Sequence, residues 1–159
     1  MVEDARFEDG GERPLHLKAL DAEDLGVFSA LIQDAVVPVA EISYDAGKRR
    51  FAMLLNRFRW EDVEAAQARG RAVERVQTVL LFDDVIKARS MGVDGRDTDT
   101  IVSVLSLAFV AGEDGTGRVD ITLAGDGAIA LDVETIDATL KDVTRPYAAP
   151  SHKVPTHEV

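Results

Sequence analysis

The stretch from Val119 to Val133 constrains what this chain can fold into more than any other. Val119, Ile121 and Leu123 alternate with Asp120 and Thr122, Gly125-Asp126-Gly127 interrupts, and Ile129, Leu131 and Val133 resume the alternation. Successive side chains of a strand point to opposite faces, so a period of two gives each arm one apolar and one polar face. The glycines supply the positive φ angles that a tight turn needs. The segment predicts a β-hairpin with one buried face, and therefore a sheet.

The same period appears upstream. Ala40, Ile42 and Tyr44 lead into the turn residues Asp45, Ala46 and Gly47, after which Phe51, Met53 and Leu55 alternate with Arg50, Ala52 and Leu54; this reads as a second hairpin. Val73 to Phe82 and Val85 to Val93 are strand-like and joined through Asp83-Asp84, and Ile101 to Val110 reads as a fully buried strand or a two-faced one. Between Trp60 and Arg69 the alternation breaks. Glu61, Asp62, Glu64, Ala65, Ala66, Gln67 and Ala68 are helix formers, so a short helical insertion closed by Gly70 is expected. Ahead of the strands, Asp21 can cap a helix whose first turn carries Glu23 and Asp24 against the positive dipole end. Leu25, Phe28, Ile32 and Ala35 recur at helical spacing, and Val36-Val37-Pro38 is expected to end the helix, because a residue before proline is pushed towards extended conformations. Ser29, Gln33 and Asp34 fall on or near the opposite face.

Sliding the chain along itself by about fifty residues sets Leu81, Ile86, Ala88 and Val93 on Leu131, Ile136, Ala138 and Val143. A second correspondence sets Tyr44-Asp45-Ala46-Gly47 on Phe109-Val110-Ala111-Gly112. Two β-meander units, 38–94 and 100–144, are therefore expected, with the helical insertion in the first alone. The fold class is α+β, dominated by antiparallel sheet, either a curved roll or a two-meander sandwich, with the N-terminal helix on one apolar face. A pleckstrin-like barrel is the alternative.

With 159 residues, 46% of them hydrophobic, the chain is long enough for one core. Residues 14–146 are expected to form that domain, between flexible tails at 1–13, which is acidic, and 147–159, where Pro150 and Pro155 follow Pro146. A net charge of −11 argues against nucleic acid or an anionic membrane as partner. The chain has no cysteine, which excludes disulfides and thiol chemistry and suits a reducing cytoplasm. Met1 to Gly11 holds no apolar h-region, and no stretch approaches the roughly 18 apolar residues of a membrane helix. A cytoplasmic location is expected. Apart from His16, the histidines are His152 and His157 in the C-terminal tail, so a histidine-based metal or catalytic site in the core would rest on His16 alone.

One charge anomaly stands out. Lys48, Arg49, Arg50, Arg57, Arg59, Arg69, Arg71 and Arg75 face only Glu61, Asp62, Glu64 and Glu74 in the same stretch, a local excess of four positive charges in an acidic chain. Guanidinium groups interleaved with Phe51, Phe58 and Trp60 are what a site for a phosphate, a carboxylate or a stacked base would use, through planar bidentate donors and π faces. The same arginines would equally serve the wet face of a sheet, paired with surplus carboxylates or with those of a twin subunit. Other motifs carry less. Asp94, Asp97 and Asp99 lack the sixth-position glycine and terminal glutamate of an EF-hand loop. Gly112 to Gly117 lacks the Lys-Ser/Thr of a P-loop and reads as a hairpin loop. Asp132, Glu134 and Asp137 lie on a strand and its turn, where solvated carboxylates are common. No metal site and no cofactor is expected.

Four segments together, Ala19 to Leu25, Ser29 to Ala35, Asn56 to Glu61 and Gly127 to Glu134, resemble a family of small bacterial proteins catalogued as a domain of unknown function. The resemblance covers about residues 15 to 148 and implies a bacterial cytoplasmic protein without assigning any activity. Its most distinctive motif, Asn56-Arg57-Phe58-Arg59-Trp60-Glu61, coincides with the basic and aromatic region. The function expected is a non-catalytic binding or interaction module with its working surface at Arg57, Arg59 and Trp60, joined by Glu61 and Asp34, for an unknown protein or a small anionic ligand. One alternative is an enzyme acting on a small anionic metabolite, those arginines binding substrate and Glu61 or Asp34 serving as general base. Another is a structural homo-oligomer such as a homodimer.

Overall fold

A computed structural model describes residues 13–96 and 98–148. Eleven strands and two α-helices follow one another: β1 (His16–Ala19), α1 (Ala22–Leu31), β2 (Val36–Pro38), β3 (Ile42–Asp45), β4 (Arg50–Phe58), α2 (Val63–Ala68), β5 (Glu74–Phe82), β6 (Val85–Met91), β7 (Ile101–Ala111), β8 (Gly117–Leu123), β9 (Ala128–Val133), β10 (Ala138–Asp142) and β11 (Tyr147–Ala148). Short 3-10 turns occupy Val39–Glu41 and Trp60–Asp62. Every pairing is antiparallel. No helix of the described residues is long and apolar enough to cross a membrane.

The hairpin expected at Val119 to Val133 is β8 and β9, with Val119 opposite Leu131 and Ile121 opposite Ile129. Its turn gets left-handed backbone from Gly125 (φ 77°) and Asp126 (φ 67°). Gly127 is needed for space instead, since a Cβ there would sit 3.3 Å from the Cβ of Leu123. The second hairpin is β3 and β4, Ile42 opposite Met53 and Asp45 opposite Arg50. Asp21 caps α1 by accepting the Asp24 N–H at 2.8 Å, and Leu25 and Phe28 are buried on its inner side. The helix stops earlier than Pro38 would have stopped it. Asp34 takes a left-handed conformation (φ 64°) that turns the chain out of the helix, and Val36–Pro38 is a strand lying between β4 and β7.

The strand order is β1-β10-β5-β4-β2-β7-β8-β9-β6, with β3 also on β4 and β11 also on β5. Neither expected unit is a four-stranded meander. β3, β4 and β5 pair in sequence, but β6 leaves them for β9; β7, β8 and β9 pair in sequence, but β10 leaves them for β5. The two crossing turns meet. Asp83 N–H donates to the Asp137 carbonyl at 2.9 Å, and Glu134 N–H donates to the Asp84 carbonyl at 3.0 Å. These reciprocal bonds match Asp83 with Glu134 and Asp84 with Asp137, offsets of 51 and 53. The offset of fifty therefore misses the register by an odd number, one or three: it sets the outward, partly exposed Leu81 on the buried Leu131, and an odd slip exchanges the faces of a strand.

One large apolar cluster joins both halves, including Phe51, Met53, Leu80 and Phe82 from one and Ile121, Leu123 and Leu131 from the other. The sequence places the C-terminal tail from 147, but Tyr147 and Ala148 pair with Arg75 and Glu74 of β5. Residues 1–12, Asp97, and 149–159 with Pro150, His152, Pro155 and His157 lie outside the described residues.

Candidate functional site

Strand alternation divides the motif Asn56 to Glu61 between two faces. Along β4 the odd positions Phe51, Met53, Leu55 and Arg57 are buried; Val76, Thr78, Leu80 and Phe82 are the buried row of β5, and Ala138, Leu140 and Asp142 that of β10. Each inward row thus carries one polar residue near the same end, and Thr78 lies directly opposite Asp142. These are Arg57, Thr78 and Asp142, which converge.

Arg57 is wholly buried, and all of its donors are used. Nε donates to Thr78 Oγ1 at 3.1 Å and Asp142 Oδ1 at 3.3 Å; Nη1 donates to the Phe58 carbonyl at 3.1 Å and Glu61 Oε1 at 2.8 Å; Nη2 donates to Glu61 Oε2 at 2.9 Å and to Asp142 Oδ1 and Oδ2 at 3.0 and 3.1 Å. Asp142 in turn accepts the Thr78 hydroxyl at 2.7 Å and the Leu15 N–H at 2.8 Å. Burial alone would push the Arg57 guanidinium down, but the hydrogen bonds and charge of Glu61, with those of Asp142, outweigh it and hold the group above its ordinary range. Arg57 therefore ties β4, β5, β10 and the insertion, and Asp142 extends the network to the segment before β1.

Arg59 is 2% exposed and meets Asp62 at 3.3 Å and Glu74; Arg71 reaches the same Asp62 at 3.1 Å. Trp60 packs on Phe58 with ring centroids 5.6 Å apart and donates its indole N–H to the Gln33 carbonyl beyond α1 at 2.9 Å. The expected surface of Arg57, Arg59 and Trp60 is thus corrected. Alternation turns Arg57 inward, Arg59 is covered and neutralised, and Trp60 anchors the insertion. Glu61 is held bidentately by Arg57, and Arg57 takes Glu61 and Asp142 as its carboxylates. Asp34 ends the helix, its N–H donating to the Val104 carbonyl at 2.8 Å. Arg49, Arg50 and Arg89 pair within the chain too, with Glu134, Asp83 and Asp132.

Arg75 differs from these arginines. It lies opposite Phe58 on the outward face of β5, with its guanidinium carbon 3.9 Å from the centroid of that ring. Nη1 donates to the carbonyl and to the side-chain oxygen of Asn56, each at 3.2 Å, and Asn56 Nδ2 donates to the Tyr147 hydroxyl. Burial pushes the guanidinium down, and Tyr147 offsets part of that. No carboxylate of the described residues pairs with it. The sequence signal for this site was Arg75 itself, one of the eight basic residues; its tie to Tyr147 spans a distance that no local pattern reveals.

A family model for proteins of unknown function, DUF2948, matches residues 15–157. The chain belongs to that family. The match spans every strand of this DUF2948 protein, including the Arg57 network and the outward group of Asn56, Arg75 and Tyr147. No curated protein and no solved structure matches the chain. Among the described residues of this DUF2948 chain, no three His, Asp or Glu side chains are grouped to hold a metal ion. A separate cleft of about 170 Å³ opens where β3 and β6 approach, with walls that include Ile42, Tyr44, Phe51, Ala88 and Ile129. It is mainly apolar and lies at the other end of β4 from Arg57.

Proposed function

We propose that this chain is a non-catalytic binding module whose working surface is the outward side of β4 and β5, around Asn56, Arg75 and Tyr147, with the buried Phe58 beneath Arg75. The observation that carries this reading is the condition of Arg75: partly buried, laid on Phe58 and, among the described residues, supplied with neutral partners only. A cation so placed attracts an anion, whereas Arg57 and Arg59 are already neutralised. The enzyme reading fits less well, because the carboxylate offered as base, Glu61, already accepts two N–H groups from Arg57. The oligomer reading loses its basis in unpaired arginine, since most of these arginines meet carboxylates of the same chain.

The scaffold belongs to the same proposal. We read it as a rolled sheet made of two swapped halves, each giving its fourth strand to the other, with α1 over the junction. The reciprocal bonds at Asp83 and Glu134 support the duplication, and the burial of Leu25 and Phe28 supports the place of the helix. A cytoplasmic setting completes the reading and rests on the cysteine-free composition.

A thermal-shift panel of small anions on the wild type and on Arg75→Gln tests the working surface. A ligand at one hundred times its Kd stabilises by about 2.7 kcal/mol, so the wild type should melt several degrees higher with at least one anion and the variant should not. Equal rises in both would place the site elsewhere.

A further inference from the structure

Arg75 and Tyr147 each keep an unused donor. Nη1 is satisfied by Asn56, while Nε and Nη2 have no partner among the described residues and are not sealed from solvent. The Tyr147 hydroxyl accepts from Asn56 Nδ2, and its own proton has no acceptor among the described residues. Asn56 contacts both groups, which brings the Tyr147 hydroxyl beside the guanidinium. Phe58 supports the guanidinium from beneath, its ring centroid 3.9 Å from the guanidinium carbon. The free edge, Nε and Nη2, is the edge that takes two oxygens of a planar anion in parallel.

We propose that Arg75 and Tyr147 form a binding site for a single carboxylate, held in the guanidinium plane through Nε and Nη2 with the tyrosine hydroxyl as a further donor. The inference rests on the binding-module reading above and names its ligand class. A carboxylate is favoured over a phosphate by charge count. Arg57 and Arg59 are turned to other partners, so the fork at Nε and Nη2 carries the single charge of Arg75, which a monoanion matches and a phosphate dianion exceeds in a chain already at −11. The carboxylate can come from a small organic acid or from the C-terminus of a peptide; the recognised group is the same.

The test uses the full chain, labelled with nitrogen-15, and follows the Arg75 Nε–H signal while sodium benzoate or sodium phosphate is added at constant ionic strength. Benzoate should give a saturable shift and phosphate should bind at least tenfold more weakly. Arg75→Lys keeps the charge but loses the fork, and its benzoate affinity, read from backbone amides of β4 and β5, should fall at least tenfold; Tyr147→Phe should weaken binding about threefold in a protein whose amide spectrum is otherwise unchanged. An acetylated tetrapeptide with a free C-terminus, compared with its amide, separates the two sources: binding tighter than benzoate that is lost in the amide supports a peptide terminus, and binding no tighter than benzoate supports a small acid. Phosphate binding as tight as benzoate overturns the carboxylate assignment and leaves the binding-module reading standing. An Arg75 signal unmoved by both anions overturns the two together.

Discussion

Arg57 occupies a position where the alternation of β4 asks for an apolar side chain, two residues beyond Leu55, and Asp142 does the same two residues beyond Leu140 on β10. Each polar residue was visible in the sequence at the end of an apolar row, but their pairing was not, since 85 residues separate them. Removing one partner of a buried ion pair leaves the other uncompensated and costs about 3 to 5 kcal/mol. Arg57→Gln should therefore lower unfolding free energy by about that amount in urea titrations, and a cycle with Asp142→Asn should show the two losses to be strongly non-additive. The pH dependence has a definite sign. A raised arginine contributes stability that is fully present below its unfolded-state pKa and is lost only as pH rises through the folded-state value, above the ordinary arginine range. The difference in stability between wild type and Arg57→Gln should hardly change from pH 7 to pH 10; a steep fall over that range would show that the guanidinium is not held charged.

At the scale of elements, the two hairpins and the helical insertion were legible because period, turn residues and helix formers are local signals. The end of α1 was not, because the left-handed turn at Asp34 competes with proline as the stop and its advantage comes from tertiary bonds: Asp34 N–H to the Val104 carbonyl and Val104 N–H to the Ala35 carbonyl at 2.9 Å. Gly112 to Gly117 forms the hairpin connection between β7 and β8 that its sequence predicts, but the role of its last glycine comes from packing. A Cβ on Gly117 would stand 2.4 Å from Phe109 Cζ and 2.6 Å from the Val110 carbonyl. Gly117→Ala should lower stability by about 1 to 3 kcal/mol through overpacking, and Phe109→Leu should recover only part, since the carbonyl contact remains. Losing the cap at α1 in Asp21→Ala should lower stability by about 1 kcal/mol in the same titration.

For the whole molecule, the exchange of β6 and β10 makes each half depend on the other. Sequence periodicity suggested two units, yet pattern alone cannot say which unit receives a strand, because crossing and staying present the same alternation. A fragment ending at Arg96 would lack β10 beside β5 and leave β6 without β9, so it should show no cooperative thermal transition by circular dichroism. A fragment that melts cooperatively by itself would contradict the interdependence. One arginine-rich region supplies an inward clamp at Arg57 and, as proposed, an outward binding group at Arg75. Urea unfolding of Arg57→Gln and Arg75→Gln side by side, each with and without sodium benzoate, tests this division most directly. Arg57→Gln should lose about 3 to 5 kcal/mol, whereas Arg75→Gln should stay within about 1 kcal/mol of wild type and alone lose the stabilisation by benzoate. Near-normal stability for Arg57→Gln, or full benzoate stabilisation of Arg75→Gln, would contradict it.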